Sequence, residues 1–204
     1  MNKNITAIVL AAQDYRESDK QVTLLTSEGE IVRAVMKGVK KQGAKMKFAA
    51  QPFSFCNFDV TKNGERYTII GANVIEELFS VTDYDIYIFG CVMLEASLKV
   101  CYYAPNKQIF ILLLRLLKDL LYGENSPKVT LIAFLQGCIH RSGYAYEYPT
   151  FEGKPATVME LLTLTDKAAK NISADDRLVS LTLDKIYKRF CQIFDCELKS
   201  YLLI

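Results

Sequence analysis

Residues 53–76 read FSFCNFDVTKNGERYTIIGANVIE, and this stretch decides the fold. Two runs rich in aromatic and β-branched residues, 53–61 and 66–76, flank Lys62-Asn63-Gly64-Glu65. Asn-Gly between two such runs is the strongest short-range hairpin signal, because the tight turn needs positive φ. Pro52 opens the first run. Gly71 inside the second predicts a bulge or a barrel bend.

Upstream the texture is the same. Residues 4–12 (NITAIVLAA), 21–26 (QVTLLT) and 31–37 (IVRAVMK) read as strands. Ser27-Glu28-Gly29-Glu30 makes 21–37 a hairpin, with Gly29 free to take positive φ. Five short strands without a helical period between them predict a small antiparallel barrel, since closure removes exposed edges. The commonest nucleic-acid-binding barrel of that strand count is the OB-fold.

Beyond Phe79 the period becomes helical. Asp83 or Thr82 caps a helix to about Tyr103, with Ile88, Cys91, Val92, Leu94 and Leu98 on one stripe. Pro105-Asn106 leads into a second helix over 107–122, closed by Gly123. Ser126-Pro127 opens a third, to about Arg141, with Gly143 after it. A short helix is expected at 156–169, and the Ser173-Ala174-Asp175-Asp176 run opens a last one over 174–195. The fold class is therefore α+β: an N-terminal five-stranded antiparallel OB-fold barrel, residues 1–78, followed by a C-terminal all-helical domain, residues 79–204.

Composition excludes several function classes. Half of the 204 residues are hydrophobic and the formal net charge is only +2, so the distribution of charge matters more than its sum. The six cysteines lie in apolar runs, with no C-x-x-C pair and no secretory signal ahead of them, which predicts reduced, buried thiols in a cytoplasmic protein. The apolar stretch ending at Ala12 is too short to cross a membrane, and Arg115 and Lys118 interrupt 109–122. His140 is the single histidine, so no two-histidine metal site exists, and its place near a helix end favours it electrostatically without a catalytic role. Neither a Walker-type nor a dinucleotide-binding glycine motif occurs. Cys138 near His140 is the one conceivable catalytic pair. The acids at Asp83/Asp85 and Asp175/Asp176 sit at helix starts, where negative charge is stabilising in itself. No cofactor and no enzyme activity are implied.

One feature is positive. Arg33, Lys37, Lys40, Lys41, Lys45 and Lys47 succeed one another without an intervening acid. Arg33, Val35 and Lys37 share one face of their strand because side chains alternate. Gly38 and Gly43 make the segment after the third strand a flexible loop. Such a stripe attracts phosphates through charge and counterion release; a solvated connection between strands is the plainer alternative. Arg66 and Tyr67, just after the Asn-Gly turn, offer a cation and the best exposed candidate for stacking, although core packing is the leading reading for Tyr67 as well; Tyr15, Phe48, Phe53, Phe55 and Phe58 are mostly core. Tyr144, Tyr146 and Tyr148 are expected to pack on the helices.

The order of blocks resembles the RecO family. Ala7-Ile8-Val9-Leu10 precedes Asp14-Tyr15-Arg16-Glu17-Ser18-Asp19-Lys20, then Val22-Thr23-Leu24-Leu25-Thr26 and a Glu-Gly turn. Arg33-Ala34-Val35-Met36-Lys37-Gly38-Val39-Lys40-Lys41 and Gln51-Pro52-Phe53 come next. The helical half is similar in layout, including Gly143-Tyr144-Ala145. The resemblance implies a DNA repair and recombination mediator that binds single- and double-stranded DNA and anneals complementary strands. It implies partnership with RecR and contact with the acidic C-terminal tail of single-stranded-DNA-binding protein, so that RecA loads. The basic segment falls where the family's DNA surface lies, and Arg16 and Lys20 are added to it as candidate DNA contacts. Many family members carry a four-cysteine zinc module after the Gly-Tyr-Ala position; residues 146–154 hold no cysteine, so zinc is not carried over, and the chain reads as a short member. An acidic tail would need an apolar pocket rimmed by cations such as Arg115, Lys118 and Arg141. An RNA-binding barrel and a non-enzymatic interaction adaptor are the alternatives.

Overall fold

The computed structural model describes residues 2–64, 66–78, 83–144 and 175–204. They form two compact units. The first holds the residues up to 78 together with 101–110, the second 83–100 and the described residues beyond 110.

The first unit is a barrel. Its strands are β1 (Asn2–Tyr15), β2 (Asp19–Thr26), β3 (Ile31–Met36), β4 (Ser54–Asn63) and β5 (Arg66–Glu77). They close in the order β1-β2-β3-β5-β4. The antiparallel reading holds for every pairing but one. β3 and β5 run parallel, with Ala34 opposite Tyr67, Val35 opposite Thr68 and Met36 opposite Ile69. The correction has a simple cause: a closed ring of five strands cannot alternate direction all the way round, so one pairing must be parallel.

Alternate residues fill the barrel. Ile5, Ala7 and Val9 of β1, Val22 and Leu24 of β2, Val32, Ala34 and Met36 of β3, and Cys56, Phe58 and Val60 of β4 form one core with Ile69 of β5. The bulge expected at Gly71 is present: Asp59 faces Gly71 while Val60 faces Ile69, leaving Ile70 as the extra residue. A second bulge lies between Val9 and Ala11.

The strand directions put the β1–β2 turn and the β3–β4 connection at one end of the barrel. The other two turns lie at the opposite end. The β3–β4 connection is a plug: Val39, Ala49 and Ala50 are part of the core, and Met46 and Phe48 pack against it. At the opposite end the β2–β3 turn meets residues 101–110. Gly29 has φ +81° and accepts the Asn106 N–H at 3.2 Å. A Cβ there would lie 2.2 Å from the Asn106 carbonyl carbon. Lys107 pairs with Glu28 at 3.1 Å; farther along, Phe110 meets Phe55, near the start of β4, edge-on at 5.9 Å.

The helices are α1 (Tyr84–Cys101), α2 (Lys107–Tyr122), α3 (Pro127–Arg141) and α4 (Asp176–Phe194). Their starts agree with the sequence signals. Asp83 Oδ1 accepts the N–H groups of Asp85 and Ile86, Asn106 that of Gln108, and Ser126 that of Val129. For α4 the cap is Asp175, which accepts from Arg177 at 3.1 Å; Ser173 lies outside the described residues. α3 is buried without interruption from Val129 to Ile139, as a helix apolar on all sides must be. α4 buries Val179, Thr182, Leu183, Ile186 and Phe190, a stripe at helical spacing. Tyr144 packs edge-on against Phe194 at 6.0 Å. The helix expected at 156–169, Tyr146 and Tyr148 lie outside the described residues. Among the described residues no helix is long and apolar enough to cross a membrane.

Gly29 tests the contact between the β2–β3 turn and the start of α2. Gly29→Ala meets both a positive φ and a backbone collision, so it should cost more than about 1 kcal/mol in urea denaturation. An unchanged midpoint would contradict that close approach.

Candidate nucleic-acid interface

The plugged end is organised by two carboxylates. Asp19, the first residue of β2, is only 9% exposed. It accepts the Gly38 backbone N–H at 2.8 Å and the Ser18 hydroxyl at 3.3 Å. The Lys40 N–H adds a bond to the Ser18 carbonyl at 3.0 Å. The segment after β3 is thereby tied to the β1–β2 turn, and is not the free loop that Gly38 and Gly43 suggested. Asp14, near the end of β1, receives the Lys40 ammonium at 2.6 Å. That hydrogen bond holds the Asp14 carboxyl below its ordinary pKa, with the charges of Lys40 and Lys20 adding and partial desolvation opposing.

Lysines from separated points in the sequence converge here. Lys20 stands on β2 opposite Asp14 and Met36. Lys20, Lys40 and Lys47 line one pocket of about 310 Å³ together with Val39, Ala50 and Gln51. Lys37, Lys41 and Lys45 are exposed on the same plug segment, and Arg16 is exposed on the β1–β2 turn with φ +59°. The end thus presents cations around an apolar floor, with Lys40 neutralised in part by Asp14.

The other candidates lie elsewhere. Arg33 is on the outer face of β3, opposite Thr23, with its guanidinium 6.0 Å from the Tyr102 ring centre. Arg66 and Tyr67 begin β5 beside the Asn-Gly turn, at the opposite end of the barrel. Tyr67 packs against the core, and the Lys62 ammonium sits 5.3 Å from its ring centre. The ridge read from Arg33 to Lys47 therefore bends: Arg33 and Lys37 follow the outer face of β3, and past the inward turn at Val39 the remaining lysines belong to the plug. Sequence reading missed Asp14, Asp19 and Tyr102. The acids were visible as a cluster beside the turn; the signal overlooked was their complementarity to the basic segment.

Nucleophilic chemistry finds little support at the thiols. Burial pushes Cys56, Cys101 and Cys196 up to about 11, so these sulfurs are protonated at neutral pH. Cys138 is buried while His140 is exposed in the last turn of α3. Among the described residues no group of three or more His, Cys, Asp or Glu side chains could hold a metal ion. Residues 146–154, which hold no cysteine, lie outside the described residues.

Residues 1–78 match the family described as Recombination protein O N terminal. By this module the chain belongs to the RecO family. The match ends one residue after β5, so it covers the whole barrel with its plug. A protein of Nocardioides sp. named DNA repair protein RecO is 33% identical over 150 residues, 72% of this chain and 60% of that relative. One of the same name from Thermobifida fusca is 33% identical over 142 residues, 68% of this chain and 58% of the relative. Another from Streptomyces coelicolor is 32% identical over 154 residues, 71% and 61% respectively. The chain spans about 60% of the length of these RecO relatives.

The two carboxylates differ in what their loss should do. Asp19→Ala leaves the Gly38 N–H without its acceptor and should cost about 1–3 kcal/mol in urea denaturation, with Asp19→Asn recovering part of it. Full stability in Asp19→Ala would contradict the tie. Asp14 has a folded pKa below its unfolded value, so its stabilisation is present at neutral pH and is lost as the pH falls through the lowered value. Wild type and Asp14→Asn should therefore converge in stability at acid pH, and a gap that widens on acidification would contradict the ion pair.

Proposed function

We propose that this chain is a non-enzymatic, cytoplasmic mediator of DNA repair and recombination whose barrel binds single- and double-stranded DNA through its plugged end. The observation that carries this reading is the convergence of Lys20, Lys40 and Lys47 on one pocket, with Lys37, Lys41, Lys45 and Arg16 around it. Phosphates docking on such an end release condensed counterions, which gives affinity with little sequence preference. Family membership supports DNA as the polyanion.

The same charge accounts for annealing. Two complementary strands repel one another until their phosphates are neutralised, and a cationic surface that leaves base edges unread lets pairing proceed. In this reading residues 1–78 are the DNA-binding domain and residues 79–204 serve partners. Those partners are RecR and the acidic C-terminal tail of single-stranded-DNA-binding protein, so that RecA is loaded. Arg115 and Lys118 on α2 and Arg141 on α3 are the proposed cations for the tail.

Replacing Lys37, Lys40, Lys41 and Lys47 together by Ala should weaken binding to a single strand and lower the slope of log affinity against log salt by about 3. Asp14→Asn should act in the opposite sense, because it releases Lys40 for phosphate. Filter binding over a salt series checks both. Affinity and slope unchanged in the quadruple variant would remove the plugged end as the site, and preference for a matched RNA strand in competition would favour RNA as the ligand.

A further inference from the structure

The turn between α1 and α2 displays two aromatic rings that packing does not explain. It reads Cys101-Tyr102-Tyr103-Ala104-Pro105-Asn106. Tyr102 is 52% exposed and Tyr103 89% exposed. A ring that open buries little apolar area and gains correspondingly little from the hydrophobic effect. Yet the turn is firmly held. Cys101 is buried on one side of it, Ile109 and Phe110 on the other. The Asn106 N–H donates to the Gly29 carbonyl at 3.2 Å, and Pro105 restricts the backbone before it. The two rings meet edge-on, 5.0 Å apart at 86°. Arg33 completes the group, with its guanidinium 6.0 Å from the Tyr102 ring centre.

This cluster has a route to the lysines. From Arg33 the outer face of β3 continues through Val35 to Lys37, a distance of about 13 Å along a strand. The residues opposite on β2 are Thr23 and Gln21, both uncharged, so no acid interrupts the path on these two strands between the arginine and the plug.

We propose that Tyr102 and Tyr103, backed by Arg33, form a stacking platform for unpaired bases. A single strand would then be held at two points, by its bases on the tyrosines and by its phosphates at the plugged end. Stacking on tyrosine accepts any base, because every base has a π face. A duplex has its bases already stacked and paired and gains nothing from the platform. The tyrosines therefore confer preference for single strands, while the lysines serve both forms. This rests on the nucleic-acid reading of the barrel and adds to it the source of strand discrimination.

The test uses the full chain with two probes, an oligothymidylate of about 20 nucleotides and a duplex of matched length. Tyr102→Ala/Tyr103→Ala should lower affinity for the single strand by about fivefold or more. It should leave duplex affinity and the salt slope of both probes unchanged. Tyr102→Phe/Tyr103→Phe should retain wild-type affinity, since the phenyl ring stacks as well. Tyr103→Ala alone, at a site too exposed to affect folding, should give part of the loss. Equal losses on both probes, or no loss on the single strand, would overturn the platform while leaving the lysine interface standing. Failure of the wild type to bind either probe would overturn both.

Discussion

The buried carboxylate of Asp19 accepts the Gly38 N–H, and the arrangement of the cationic end depends on that bond. A segment carrying Lys37, Lys40, Lys41, Lys45 and Lys47 would, if free, disperse its charges into solvent and present no fixed surface. Three anchors prevent this. Asp19 and Ser18 hold the backbone at the start, Asp14 draws in the Lys40 ammonium, and Val39, Ala49 and Ala50 sink into the barrel. The same residues that complete the hydrophobic core thus set the spacing of the cations above it. Stability and the proposed DNA binding share one element, and a change in the plug's apolar residues should disturb both.

Closure explains why the site sits where it does. Five strands cannot alternate all the way round a ring, so β3 and β5 must run parallel. The link from β3 to β4 then has to pass over one end of the barrel, because β4 joins the ring on the far side, between β5 and β1. A connection forced over an open end must cover apolar side chains below and face water above. Lysines on its outer side meet the second demand and small or branched apolar residues the first.

Much of this was legible in the residues. Strand and helix positions come from local features, since Asn63-Gly64, Gly71, Asn106, Ser126-Pro127 and the apolar periods each act within a few residues. The core side of each strand comes from alternation. The features that were not legible depend on distant residues meeting. The parallel pairing joins Ala34 to Tyr67, and nothing near either position announces it. Arg33 and Lys40 look continuous in sequence, yet one lies on the barrel's outer face and the other at its end, because Val39 turns inward between them. Tyr67, read first as core and second as a stacking aromatic, does pack on the core under Lys62, whereas Tyr102 and Tyr103 stand open from a turn that reads merely as a helix boundary.

The most direct measurement is amide hydrogen exchange along the full chain, with and without a short single-stranded oligonucleotide at low salt. Binding at the plugged end predicts slowed exchange at residues 16–20 and 37–47, with the Asn-Gly turn at the opposite end of the barrel unaffected. Protection confined to α3 and α4, with both of those segments exchanging as in the free protein, would contradict it.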